Sequence, residues 1–194
     1  IAGIVLFNEM SMTELSAIIG NMLKVMHSRG PDTTRIVFST NKKIVLGHNR
    51  LSIIDPTAAG SQPIVSEDRR YILIYNGEIY DYQKLRQQLP GPWKSHTDSE
   101  VLFKILCKAR PIAKALKDLN GMFAFAFLDE NQQKLVLARD QFGIKPLYYS
   151  HISDEWLFAS KLRPIIDWHG KLPNLSPQGV KEYFRLGYVP CPLS

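Results

Sequence analysis

Short apolar runs arrive in adjacent pairs, with helical segments gathered between the pairs, and this pattern constrains the chain more than any other feature. Met122 to Leu128 and Lys134 to Ala138 flank a turn at Asp129 to Gln132, the mark of an antiparallel hairpin. Arg35 to Ser39 and Lys43 to Asn49 make a second pair around Asn41, with Leu51 to Ile54 expected to extend its second strand. A third pair lies near Leu147 to Ser150 and Trp156 to Ser160. Ile1 to Phe7 reads as a buried strand, and Tyr71 to Tyr75 as a strand running into Asn76-Gly77; Pro56 to Pro63 reads as a loop. The regular strand–helix alternation of a doubly wound parallel sheet is absent. Two antiparallel sheets with helices on their outer faces, an α+β architecture, are the natural solution.

The predicted helices carry recognisable ends. Ser11 or Thr13 can cap a helix whose apolar face is Leu15, Ile18, Ile19, Met22, Leu23 and Met26, stopped by Arg29-Gly-Pro-Asp32. A second helix spans about Asp81 to Leu89. Thr97 or Asp98 caps a third, with Val101, Leu102, Ile105 and Leu106 inward and Cys107 as a core thiol. Pro111 to Leu116 is a short fourth. Ser176-Pro177 opens a last short helix before an extended Val189-Pro-Cys-Pro192. Residues 1–170 therefore read as one domain and 171–194 as a linker leaving it.

Composition removes several classes of function. Apolar residues at 45% and charged residues at 22% are ordinary for a globular chain. Apolar runs reach only about seven residues, against the roughly 20 that a membrane helix needs. The net charge of +6 is scattered, with no basic stripe, so neither nucleic acid nor a membrane is the expected partner. Two cysteines, Cys107 and Cys191, make no disulfide framework, and a cytoplasmic location is expected. There is no glycine-rich phosphate loop and no Gly-x-Ser-x-Gly elbow, and the five histidines lack metal-ligand spacing.

What remains is a set of polar residues beside strand and helix ends. Arg50 follows Gly47-His-Asn, Asn76-Gly77-Glu78 follows a strand, and Thr97-Asp98-Ser-Glu100 opens a helix. An arginine can grip a carboxylate through two parallel hydrogen bonds, and an aspartate can hold an ammonium. Together they suit a free amino acid. Asn76 with the Gly77 N–H could form an oxyanion hole, because glycine lets a reacting carbonyl approach the backbone. Each residue also has a plain structural reading: Asn-Gly as a turn, Asp98 as a helix cap, Arg50 as a surface ion-pair residue.

These residues sit in stretches that resemble the N-terminal glutaminase domain of glutamine-dependent asparagine synthetases, a class II glutamine amidotransferase domain of the N-terminal-nucleophile hydrolase fold. The matching stretches include Ile1-Ala-Gly-Ile-Val, Arg29-Gly-Pro-Asp32, Gly47-His-Asn-Arg-Leu-Ser-Ile-Ile-Asp55, Gln62-Pro63, Tyr75-Asn-Gly-Glu-Ile-Tyr80 and Thr97-Asp-Ser-Glu100. Leu119 to Phe125, Ala138 to Tyr149 and Phe158-Ala-Ser-Lys161 continue the match in family order. The resemblance implies a four-layer αββα sandwich and hydrolysis of L-glutamine to glutamate and ammonia. It maps glutamine binding onto Arg50, Leu51, Ser52, Ile53, Ile54, Asn76, Gly77, Glu78 and Asp98. Arg50 would take the α-carboxylate, Asp98 and Glu78 the amino end, and Asn76 with Gly77 N–H the oxyanion. Arg29 to Asp32 and Ala138 to Pro146 would be structural or face the next domain.

The family's nucleophile is an N-terminal cysteine, which the resemblance puts two places before Ile1; neither Cys107 nor Cys191 can replace it. The expectation is a Cys-Gly ahead of Ile1. A glutamine-binding or docking module without a nucleophile is the competing reading. No cofactor or metal is implied for this domain. ATP and Mg would belong to a C-terminal synthetase domain, the expected partner, which passes ammonia to a carboxylate, by default aspartate. Relatives that amidate polysaccharide or other carboxylates keep the acceptor open, and a homodimer is equally open.

Overall fold

The computed structural model describes the chain except for residues 7–9, 110, 153, 171–173, 191–192 and 194. Phe7, Cys191 and Pro192, parts of the expected first strand and extended tail, lie outside the described residues.

Nine strands form two antiparallel sheets among the described residues. The first has the order β2-β3-β1-β9-β8, from Thr33–Phe38, Ile44–Arg50, Ala2–Leu6, Glu155–Ala159 and Tyr148–Ile152. The second has the order β4-β5-β6-β7, from Ile64–Val65, Tyr71–Ile79, Gly121–Asp129 and Lys134–Arg139. Strand alternation divides each sheet between two layers. On the first strand Ala2, Ile4 and Leu6 point outward, against Leu15, Ile19, Met22 and Leu23 of α1 (Met12–Val25) and Ile165 of α5 (Arg163–His169). Ile1 and Val5 point inward and join Ile44, Leu46, Ile72, Ile74, Ala124, Ala126 and Phe158 between the sheets. The far face of the second sheet, with Leu73, Tyr75, Phe123, Phe125 and Phe127, packs under α2 (Tyr82–Gln87), α3 (Asp98–Lys108) and α4 (Ile112–Lys117). The layers run α, β, β, α, the four-layer sandwich expected from the sequence.

Local chemistry explains the element ends. Ser11 caps α1 in a reciprocal box: Glu14 N–H donates to Ser11 Oγ at 3.2 Å, and Ser11 N–H donates to Glu14 Oε2 at 3.0 Å. Thr97, not Asp98, caps α3 by accepting from Glu100 N–H at 3.3 Å. Asp98 is instead the first residue of that helix, which frees its carboxylate for other partners.

Two expectations need correction, and two elements went unanticipated. Leu51 to Ile54 do not extend β3: the strand stops at Arg50, Ser52 N–H turns to Asp32 Oδ2 at 2.7 Å, and Ile53 is 78% exposed. Asn76-Gly77 is no turn after a strand; β5 runs through it to Ile79, paired with β6 throughout. α5 was not anticipated, although Pro164 near its start and Gly170 at its end (φ 68°) are helix punctuation. β4 (Ile64–Val65), just past the loop expected over Pro56 to Pro63, has only two residues, too short to show a period.

The inter-sheet layer should be the least forgiving part of the fold. Leu46→Ala is expected to cost about 2–5 kcal/mol of unfolding free energy, the usual penalty for truncating a buried leucine. Ile53→Ala should cost under about 0.5 kcal/mol, as for exposed sites generally. Urea titrations of the two variants check both.

Candidate active site

Residue parity in β5 decides which backbone groups are available. Even-numbered residues bond toward β6: Tyr80 N–H donates to Asn120 O at 2.9 Å, and Arg70 O accepts from Glu130 N–H at 2.8 Å. Odd-numbered residues face the other edge, where β4 pairs only with Ile72 and Leu73. Past Leu73 that edge has no neighbouring strand, yet it is covered. Side chains take over the pairing. Tyr75 N–H donates to Gln62 Oε1 at 2.7 Å, and Ile79 N–H donates to Asp98 Oδ2 at 3.0 Å. Gly77 N–H lies between them, on the same edge, with no partner among the described residues.

Asn76 points the opposite way from Tyr75, into the space between the sheets. Its Nδ2 is buried and has no hydrogen-bond partner among the described residues. A buried donor left unpaired costs about 1–3 kcal/mol, so such a group asks for an explanation. Here two adjacent donors, one side-chain and one backbone, stand open beside one cavity. A side chain at position 77 is excluded, because a Cβ there would lie 2.3 Å from Met122 O.

That cavity has a volume of about 480 Å³, and its walls bring together every residue singled out from the sequence: Arg50, Leu51, Ser52, Ile53, Ile54, Asn76, Gly77, Glu78 and Asp98. A larger cavity of about 630 Å³ opens between the sheets at the opposite strand ends, around Val5, Leu135, Leu137 and Trp156. Its walls are largely apolar and present no comparable set of converging donors. The converging polar groups are at the smaller one.

Arg50 is buried, and its guanidinium is held by a loop. Nη1 donates to Thr57 O at 2.7 Å and to Ser61 Oγ at 3.2 Å, and Nη2 donates to Asp55 O. A guanidinium has five N–H donors. Nε–H and one Nη2 hydrogen remain, on adjacent nitrogens, a geometry that a carboxylate can accept side-on. The loop is tied in turn by Asp55, whose carboxylate accepts from Thr57 Oγ1 at 2.6 Å, Thr57 N–H at 3.0 Å and His96 N–H at 3.1 Å. These bonds hold the Asp55 carboxyl down at about 2.

Asp98 sits across the cavity, also buried. Tyr75 OH donates to its Oδ2 at 2.6 Å, beside the Ile79 bond. Burial raises the Asp98 pKa despite these donors, and burial together with the Asp98 charge pushes the Tyr75 phenol far up, so it stays a donor. A cation arriving at Asp98 would relieve the unfavourable desolvation. Glu78 is exposed at the rim, while Leu51 and Ile53 form an open apolar lip.

His48 and Gln62 were not among the residues expected to be functional. His48 lies on β3, facing inward, and is 6% exposed. Its Nε2 is 3.1 Å from Tyr75 O. A carbonyl can only accept, so Nε2 carries the hydrogen and Nδ1, buried and without a partner, is the bare nitrogen. Burial above all lowers the ring to about 3. Strict alternation along Ile44, Leu46, His48 was the sequence signal for its inward face. Among the described residues no three His, Cys, Asp or Glu side chains cluster as a metal site, and no helix is long and apolar enough to cross a membrane.

His48 makes a pH prediction. Its folded pKa, about 3, is below the ordinary 6.5, so the unfolded chain binds the extra proton between those values. The stability from keeping the ring neutral is complete above about 6.5 and is lost as pH falls toward about 3. His48→Gln, with nothing to titrate, should show a shallower loss of stability over that window in denaturant titrations run at stepped pH.

A family model described as a glutamine amidotransferase domain matches residues 1–194. A putative glutamine-hydrolysing asparagine synthetase 2 of Methanocaldococcus jannaschii is 34% identical over 91% of this chain and 37% of its own length. Glutamine-hydrolysing asparagine synthetase 1 of Bacillus subtilis is 35% identical over 90% of this chain and 27% of its own. The chain thus spans about a third of these relatives. Among solved structures, a B. subtilis glutamine phosphoribosylpyrophosphate amidotransferase complexed with ADP and GMP superimposes with a TM-score of 0.72 at 22% identity. It covers 87% of this chain and 43% of that one, a likeness of fold.

Proposed function

The chain belongs to the glutamine amidotransferase domain family, and we propose that its cavity binds L-glutamine and hydrolyses the side-chain amide to glutamate and ammonia. The observation that carries this reading is the pair of open donors, Asn76 Nδ2 and Gly77 N–H, beside one cavity with Arg50 and Asp98. An amide carbonyl becomes an oxyanion when attacked, and two preorganised donors favour that charge over the neutral ground state. Arg50 takes the substrate α-carboxylate through its remaining donors. Asp98, aided at the rim by Glu78, takes the α-ammonium. The Leu51 to Ile54 lip covers the aliphatic stem.

The nucleophile in this reading is the thiol of a cysteine two places before Ile1. The β1–β3 register supports the placement. Ala2 lies opposite Gly47, so two steps back from Ile1 falls opposite Arg50, on the inward face that Ile1 shares with Asn76. The thiol attacks the amide carbon as its proton passes to the cysteine's own α-amino group. Collapse of the tetrahedral oxyanion breaks the C–N bond, and the amino group returns the proton to the departing ammonia. Water then cleaves the thioester to glutamate and regenerates the thiol.

The ammonia acceptor, ATP and Mg belong to a synthetase domain outside this chain, with residues 171–194 as the connection toward it. Aspartate, giving asparagine, is the acceptor we assign from the names of the relatives. We place the protein in the cytoplasm.

Glutamate release from L-glutamine, measured without ATP, tests the proposal. Asn76→Ala should lower kcat by about 10²-fold or more, as loss of an oxyanion donor does elsewhere. Arg50→Ala should act mainly by raising the KM for glutamine. Intact-mass and N-terminal sequencing of the full-length protein locates the cysteine. Glutamine binding without any turnover by a protein lacking that cysteine would replace hydrolysis with a binding role.

A further inference from the structure

We propose that His48 is a positioning residue for the oxyanion hole: by donating to Tyr75 O it replaces the strand missing beside β5 and fixes the line of Asn76 and Gly77. The inference rests on the function proposed above and adds to it a residue that no expectation included.

The open edge of β5 has a defined demand. Beyond Leu73 it presents the N–H and C=O groups of Tyr75, Gly77 and Ile79 in turn, with no strand to meet them. Three side chains from three separate segments meet both Tyr75 groups and the Ile79 N–H. Gln62 from the loop before β4 accepts from Tyr75 N–H, His48 of β3 donates to Tyr75 O, and Asp98 of α3 accepts from Ile79 N–H. Of the three N–H donors on this edge, the one left over among the described residues is that of Gly77. The edge is therefore pinned on both sides of the open donor and left open at it.

His48 differs from the other two in what it spans. It belongs to the opposite sheet, so its bond ties β3 to β5 across the interior at the residue just before Asn76. It also stands two residues from Arg50 on the same face of β3. One strand thus sets both the carboxylate grip and the oxyanion donors, and His48 transmits the spacing between them. Donation needs Nε2–H, the tautomer the ring already holds, and the bare Nδ1 asks only for tolerance of an unpaired acceptor.

The test uses the full-length protein and three variants. His48→Leu removes the donor while keeping bulk. His48→Gln returns an N–H donor at about the reach of Nε2. His48→Asn, one bond shorter, does not reach. In His48→Leu, kcat for glutamine hydrolysis should fall about tenfold or more, with KM changed less than about threefold, and His48→Gln should recover most of it. Hydrogen exchange at Asn76 to Ile79 should quicken by about tenfold in the Leu and Asn variants, return in the Gln variant, and stay unchanged in β7. Equal losses in the Leu and Gln variants, or quickening spread evenly over both sheets, would overturn the proposal in favour of plain packing. If the wild type lacks glutaminase activity, the functional reading falls, and the exchange pattern alone decides the role of His48.

Discussion

A strand covered by protein cannot leave its edge amides without partners, and most of this site follows from where β5 loses its neighbour. β4 accompanies β5 for two residues and stops. A long β4 would have paired Tyr75, Gly77 and Ile79 alike and sealed the edge. A solvated edge would have offered water to all three. The chain does neither: Gln62, His48 and Asp98 occupy the positions around Gly77, and the loop from Asp55 to Ser61 secures Arg50 nearby. Buried polar groups are satisfied almost everywhere in folded proteins, so the exceptions, Asn76 Nδ2 among them, carry information.

The layer architecture was legible from the sequence because it depends on period and pairing. The buried first strand needed only a continuous apolar run, and the hairpins at Asn41 and Asp129 to Gln132 needed only turn residues and flanking apolar runs. The elements that escaped were short or lacked a period. β4 has two residues, and α5 has seven, with most of its exposed face taken up by a local Arg163–Asp167 pair. The early end of β3 escaped for another reason: Leu51 and Ile53 look like strand residues, yet they form the lip of a cavity.

The candidate site was legible only in part. Arg50, Asn76, Gly77, Glu78 and Asp98 drew attention as polar residues near element ends. Nothing in the linear sequence placed Asn76-Gly77 inside a continuous strand, where its donors point to different places. His48 and Gln62 were invisible as contributors because their significance lies in which backbone atoms they touch, and those atoms belong to a residue, Tyr75, that reads as ordinary core. Tyr75 in turn carries a phenol that donates to Asp98. Side-chain identity announces itself in a sequence, whereas a surrogate for a missing strand does not.

The placement of β1 has a consequence in time. This first strand is not at a sheet edge; it lies between β3 and β9, the latter ending at Ala159. Pairings this distant in sequence form late and slowly, because the intervening chain must close before the contact is gained. On a ribosome, β1 therefore waits, one side unpaired, until β9 has emerged. Arg50, Asn76 and Asp98 are all synthesised well before that moment, but the sheet that holds the start of the chain against them is not complete. The ammonia chemistry proposed here would stay silent in the nascent chain and switch on with the arrival of a strand that contributes none of its donors.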